Sequence, residues 1–163
     1  MKKGYVTAIL LIIAFSISIW IFYNSSKPST ETYKDSNSVA EIVKPVVPKK
    51  VSQEKDNFDF FVRKAAHGIE FCLLGLAVAS LCTWTKFFHK KSIVGFGTFY
   101  VLMVAVCDEY IQSFTDRTSS VEDIVIDFFG AVVGMAAISL VVFIYYLIKH
   151  KKRRNKNETD QSS

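Results

Sequence analysis

The chain has 163 residues, half of them apolar, and a formal net charge of +5. This length suits a single domain. The basic residues form blocks beside the ends of long apolar segments, which indicates membrane anchoring and argues against a nucleic-acid-binding surface.

The apolar residues are concentrated in four segments: 5–23, 65–84, 93–114 and 124–148. Each segment approaches or exceeds the roughly 20 residues that a helix needs to cross a hydrocarbon core about 30 Å thick. The sequence therefore predicts an all-α, polytopic membrane protein with four transmembrane helices.

The first apolar segment follows two lysines, a pattern that also begins a signal peptide. The segment is long for a signal peptide, and no small-residue cleavage site follows Tyr23, so we expect residues 1–23 to be an uncleaved transmembrane anchor. Residues 24–57 are rich in Ser, Thr, Lys and Pro and predict an extracytoplasmic linker. We expect residues 58–150 to form a three-helix membrane domain and residues 151–163 to form a basic and polar cytoplasmic tail.

Three basic blocks predict the orientation of these helices. They are Lys2 with Lys3, the group Lys86, Lys90 and Lys91, and the run from Lys149 to Arg154. Lysine and arginine accumulate in the cytoplasmic loops of membrane proteins. Four helices of alternating direction bring all three blocks to one side, so the predicted topology is N-in/C-in.

Ionisable and amide side chains interrupt the apolar segments in three sets. The sets are Arg63, Lys64, His67 and Glu70, then Asp108, Glu109 and Gln112, then Arg117, Asp123 and Asp127. Such side chains cost several kcal/mol each inside a membrane unless they pair or face water. The predicted topology places all three sets at a similar depth in the outer half of the membrane. We therefore expect one shared polar pocket that opens outward.

The spacing within each set follows the helical period. Arg63, His67 and Glu70 fall within a stripe about 60° wide, and Asp108 shares a face with Gln112 at i, i+4. In the last segment one stripe contains Asp123, Asp127, Gly130 and Gly134. Small residues allow a second helix to approach closely, which would press this stripe into the bundle.

The loop before the last segment resembles a helix start. Ser119 or Ser120 before Asp123 suits an N-cap, and the free backbone N–H groups of a helix N-terminus attract anions. Together with Arg117, this end of the helix is predicted either to bind a phosphate or carboxylate or to be only a helix cap.

Three strings in these regions resemble the VanZ-like family of bacterial membrane proteins. They are RKAAHGIEFCLLGL at residues 63–76, DEYIQSF at 108–114 and DRTSSVEDIVIDFFGAVVG at 116–134. The family shows a basic-x-x-H-x-x-E-[YF] motif, a D-E-x-x-Q motif, and an arginine followed by D-x-x-x-N-x-x-G. The resemblance extends over about residues 58–143. Two departures are Phe71, where the family often has Tyr, and Asp127, where it usually has Asn.

The resemblance implies a multi-pass protein of the bacterial cytoplasmic membrane and a role in the cell envelope. It implies no particular reaction. The founding member of the family is associated with low-level resistance to the glycopeptide teicoplanin, an activity that the resemblance alone does not assign to this chain.

The leading hypothesis is a pocket that binds an anionic envelope component: a lipid head group, a lipid-linked cell-wall precursor or a lipoglycopeptide. Membrane lipids are the expected partners. The residues proposed to bind and orient the ligand are Arg63, Lys64, Gln112, Arg117, Asp123 and Asp127. The candidates for proton transfer, and so for catalysis, are His67, Glu70, Asp108 and Glu109.

Two alternatives remain open for the same residues. In the first, the protein is a membrane-embedded hydrolase or transferase with His67 as base, although no nucleophile is evident. In the second, it is a structural or accessory subunit whose charges only lock the helices together.

A metal site has suitable oxygen and nitrogen donors but is not predicted. The cluster contains a single histidine, and Arg63, Lys64 and Arg117 would repel a cation. No cofactor motif, such as a phosphate-binding glycine loop, is present in the sequence.

Overall fold

The computed structural model describes residues 2–27, 55–115 and 120–161, and within them the side-chain surroundings of residues 4–27, 64–115 and 120–155. The described residues form four helices: α1 (Lys2–Ser25), α2 (Lys55–His89), α3 (Val94–Gln112) and α4 (Val121–Gln161). These ranges contain no strand, and the all-α prediction is confirmed.

Each helix contains a segment long and apolar enough to cross a membrane. These segments are Gly4–Ser25, Lys64–His89, Val94–Gln112 and Val121–Asn155. Much of their apolar surface faces outward, as at Ile12, Phe96 and Phe129, which are 64%, 79% and 67% exposed. Helices that are apolar on their outer faces suit a lipid surrounding, so the prediction of four candidate spans is confirmed.

Neighbouring helices along the chain run in opposite directions. Near the start of α1, Thr7 accepts a hydrogen bond from Trp84 Nε1 at 3.2 Å and lies 3.3 Å from the ring of His89, at the end of α2. At this end Phe87 also stacks on Tyr146 of α4, with ring centroids 5.6 Å apart. The basic residues that follow α2 and those that continue α4 therefore lie toward the same end of the bundle.

Glycines bring the backbones of α2 and α4 into direct contact. A Cβ at Gly130 would collide with the backbone of Gly68, and a Cβ at Gly134 would collide with the backbone of Cys72. These contacts confirm that the two glycines allow another helix to approach closely. Gly75 of α2 has the same role, since a Cβ there would collide with the backbone of Ala131. The close approach brings the first turns of α4 beside the polar residues of α2.

The buried apolar core draws on all four helices. Ile21, Phe71, Leu74, Val101 and Ala131 have no exposed surface. Ile21 lies one turn before the last residue of α1, and Phe71 directly follows Glu70 in α2. The core therefore adjoins the polar end of the bundle and supports the side chains there.

Candidate functional site

Polar side chains from all four helices meet at one end of the bundle, opposite the basic blocks. We call this group the polar cluster, and its members are Asn24, Ser25, Lys64, His67, Glu70, Asp108, Glu109, Gln112, Asp123 and Asp127. The last residues of α1 and α3 and the early turns of α2 and α4 supply them. The structure thus brings together the described members of the three predicted sets.

Asp108 lies at the centre of the polar cluster and is fully buried. Ser25 Oγ of α1 donates a hydrogen bond to Asp108 Oδ1 at 2.5 Å, and Gln112 Nε2 donates to Oδ2 at 2.7 Å. His67 Nδ1 of α2 lies 3.8 Å from the same Oδ2. A buried carboxylate needs donors to offset its lost hydration, and here three helices surround it.

Asp127 of α4 is the second fully buried carboxylate, at 1% exposed. Its Oδ1 lies 3.9 Å from His67 Nδ1, and among the described residues its Oδ2 has no hydrogen-bond partner. The His67 nitrogen is therefore almost equidistant from Asp108 and Asp127. Both separations exceed the roughly 3.2 Å limit of an N–H···O hydrogen bond, so the three groups leave space between them.

A small cavity adjoins His67 and Asp127 and has room for about one water molecule. It is lined by Lys64, His67, Glu109, Gln112, Asp123, Ile126 and Asp127. Six of these seven residues are polar, so a water molecule or an ion there would find partners on several sides.

Lys64 and Asp123 form an ion pair between α2 and α4. Their side chains are 16% and 14% exposed, so the pair is largely removed from solvent. Asp123 is therefore the immediate counter-ion of Lys64, and an incoming anion would compete with it.

A protein carboxylate occupies the N-terminus of α4. Glu109 Oε2 accepts a hydrogen bond from the backbone N–H of Ser120 at 2.9 Å. Ser120 Oγ in turn accepts from the backbone N–H of Asp123 at 3.3 Å, which confirms the predicted helix cap. Glu109 thus stands at the helix start for which the sequence predicted either an anion site or only a helix cap.

Two members of the cluster were not predicted from the sequence. Asn24 Nδ2 donates a hydrogen bond to Glu70 Oε1 at 2.8 Å, and the adjacent Ser25 contacts Asp108. The available signal was a pair of polar residues at the C-terminal end of the first apolar segment. The sequence pattern predicts only a transmembrane anchor for that segment.

Two predicted basic residues lie outside the described side chains. Arg63 belongs to α2, but its side-chain surroundings are not described, and Arg117 falls in the undescribed residues 116–119. Among the described members, the acidic side chains are Glu70, Asp108, Glu109, Asp123 and Asp127, against Lys64 and His67. The described part of the cluster therefore contains more acidic than basic side chains.

Replacing Ser25 with Ala tests the contact between α1 and the cluster. The substitution removes a short hydrogen bond to a buried carboxylate, and we expect the free energy of unfolding to fall by about 1–2 kcal/mol. Thermal unfolding of the detergent-solubilised protein measures the change. Ser26→Ala is the matched control, because Ser26 is exposed, directly follows α1 and donates to the Phe22 carbonyl of that helix. Equal losses in the two variants would contradict the role of Ser25.

Comparison with known proteins identifies one family. The family model for VanZ/LLP1 matches residues 6–148. The chain matches no curated protein and no solved structure. The matched range starts within α1, so it includes the helix that contributes Asn24 and Ser25 to the cluster.

Proposed function

Because this chain belongs to the VanZ/LLP1 family, we propose that it is a multi-pass bacterial cell-membrane protein that binds an anionic envelope component. The ligand is the head group of a lipid, a lipid-linked cell-wall precursor or a lipoglycopeptide, and the polar cluster is its site. The observation that carries the proposal is the convergence of charged side chains from separate helices, with Asp108 and Asp127 fully buried. Buried ionisable residues in membrane spans are costly and commonly mark functional sites.

We further propose that the cluster faces outward. The basic residues after α2 and along the end of α4 lie at the opposite end of the bundle, and α1 begins there with Lys2 and Lys3. The positive-inside rule assigns that end to the cytoplasm. The topology is then N-in/C-in, and the cluster lies in the outer half of the membrane, where envelope precursors are used.

The basic residues of the site provide the attraction for an anion. Within the cluster Lys64 is paired with Asp123, and a phosphate would displace that carboxylate from the ammonium. Arg63 and Arg117 would add planar guanidinium groups, which bind phosphate through paired hydrogen bonds. The acidic side chains then serve a different purpose, which is to orient the binding groups and exchange protons with the ligand.

The position of His67 also favours a second candidate, a hydrolase or transferase acting on the same ligand. Its Nδ1 faces Asp108 and Asp127 at 3.8 and 3.9 Å, and carboxylates so placed can orient an imidazole as a general base. In this version the ring removes a proton from water or from a hydroxyl group of the substrate.

The decisive experiment separates function from folding in a strain that lacks the chromosomal gene. We expect His67→Gln and Glu109→Gln to reach normal membrane abundance and to fail to restore wild-type growth under envelope stress. His150→Gln is the matched control, because His150 is exposed near the far end of α4. This variant should restore wild-type growth under envelope stress fully. Loss of abundance in both cluster variants would instead support helix locking alone and overturn the proposed site.

A further inference from the structure

We propose that His67, Asp108 and Asp127 together bind one divalent cation of the Zn²⁺ or Mn²⁺ class. The three residues come from α2, α3 and α4, and each offers one ligand atom, with all three atoms within 4.8 Å of one another. One imidazole nitrogen and two carboxylate oxygens form a donor set that suits these ions.

The ligand atoms lie somewhat farther apart than they would around a bound ion. His67 Nδ1 lies 3.8 Å from Asp108 Oδ2 and 3.9 Å from Asp127 Oδ1, and all three ligand atoms lie within 4.8 Å of one another. Ligand atoms about 2.1 Å from one ion are roughly 3.0–3.4 Å apart at octahedral or tetrahedral angles. Small side-chain rotations would close the difference.

The second carboxylate oxygen of Asp127 gives an independent reason to expect a cation. Asp127 Oδ2 is completely buried and has no hydrogen-bond partner among the described residues. A buried carboxylate oxygen without a donor costs free energy, which a bound cation would offset. This observation concerns the satisfaction of one atom and does not depend on the spacing of the three residues.

Asp108 is already oriented as a metal-binding carboxylate would be. Ser25 holds Oδ1 at 2.5 Å, while Gln112 holds Oδ2 at 2.7 Å from the side of its own helix. Hydrogen bonds of this kind fix the direction of a ligand before the ion arrives. Ser25 and Gln112 are therefore positioning residues for the site.

The charges of the three ligands themselves balance that of a divalent cation. Two carboxylates and a neutral imidazole compensate a charge of +2, which suits a site within a membrane span. The nearest described ammonium, that of Lys64, is paired with Asp123. The repulsion expected from Lys64 is therefore reduced by its own counter-ion.

A bound cation would explain how an acidic cluster recognises an anion. The adjoining cavity has room for about one water molecule, and a phosphate oxygen or water there would complete the coordination. This last step rests on the proposed function, whereas binding of the cation itself does not.

Metal binding is tested on the full chain, purified in detergent, stripped with a chelator and titrated with Zn²⁺ or Mn²⁺ alone. We expect about one ion per chain, and at least about tenfold weaker binding in Asp127→Asn and His67→Gln. Glu122→Gln is the matched control, because Glu122 is an exposed carboxylate in the first turn of α4, and it should bind like the wild type. Wild-type protein that retains neither ion would overturn the proposal.

Thermal unfolding excludes a trivial loss of fold. With chelator present we expect similar melting temperatures for wild type and Asp127→Asn, and added metal should raise only that of the wild type. An equal rise in Asp127→Asn, or an equal loss of binding in Glu122→Gln, would show that the ion binds elsewhere and would overturn the assignment.

A separate binding measurement distinguishes this inference from the proposed function. Vesicles containing phosphatidylglycerol and solutions of inorganic phosphate are offered to the metal-loaded and the stripped protein. We expect metal-dependent binding of the vesicles, and binding of inorganic phosphate as well would identify phosphate alone as the recognised group. Metal binding without either anion would leave the cation site supported and count against the proposed function.

Discussion

Gly134→Leu is expected to abolish stable assembly of the bundle. A Cβ at this position would overlap the backbone of Cys72 and approach that of Leu76, and backbone atoms within helices cannot move aside as a flexible side chain can. The helices α2 and α4 would have to separate, so we expect a loss of 3 kcal/mol or more, at or beyond the upper end of the about 1–3 kcal/mol typical of overpacking. Membrane abundance and thermal unfolding in detergent measure the loss.

Gly95→Leu provides the control for Gly134→Leu. It introduces the same side chain into a candidate span, but a Cβ at Gly95 has no atom within 4 Å. We expect abundance and melting temperature close to those of the wild type. If Gly134→Leu were equally well tolerated, the close packing of α2 on α4 would be contradicted, and with it the placement of His67 beside Asp127.

Asp108→Ala is expected to have the second large effect. The substitution leaves the buried donors of Ser25 and Gln112 without their acceptor and removes one of the two carboxylates that face His67. Breaking a buried charged network from one side typically costs about 3–5 kcal/mol. We therefore expect a clear fall in the melting temperature of the detergent-solubilised protein.

Glu122→Ala is the control for Asp108→Ala. Glu122 is an exposed acidic residue in the first turn of α4, where its interaction with the helix dipole contributes about 0.3–1 kcal/mol. A loss in Asp108→Ala no larger than this would mean that the contacts around Asp108 contribute little to the fold. The cluster would then have to be explained by function alone.

The stability of Asp108→Ala and the activity of His67→Gln measure two different properties of one cluster. Asp108 joins α3 to α1 through its short hydrogen bond with Ser25 and accepts a second from Gln112 of α3, whereas the His67 contacts to both aspartates are longer than hydrogen bonds. We therefore expect the fold to depend more on Asp108 and the function more on His67. A binding site of this kind has one residue that holds a rigid polar network together and another that contacts the ligand.

Local patterns were sufficient to predict the spans and the family. The length of an apolar run and the helical period of its residues depend only on nearby sequence. The structure confirms the close helix approach at Gly130 and Gly134, and Asp108 and Gln112, which were predicted to share a helix face, are joined by a hydrogen bond. The resemblance to the VanZ-like family is confirmed by the match over residues 6–148.

The tertiary structure alone decided which polar groups meet. It paired Lys64 with Asp123, placed Glu109 at the start of α4, and added Ser25 from a helix that the sequence marked only as an anchor. Each pairing depends on the rotation and axial position of one helix relative to another. Those quantities come from packing across the whole bundle, which hydropathy and helical period within a single segment do not encode.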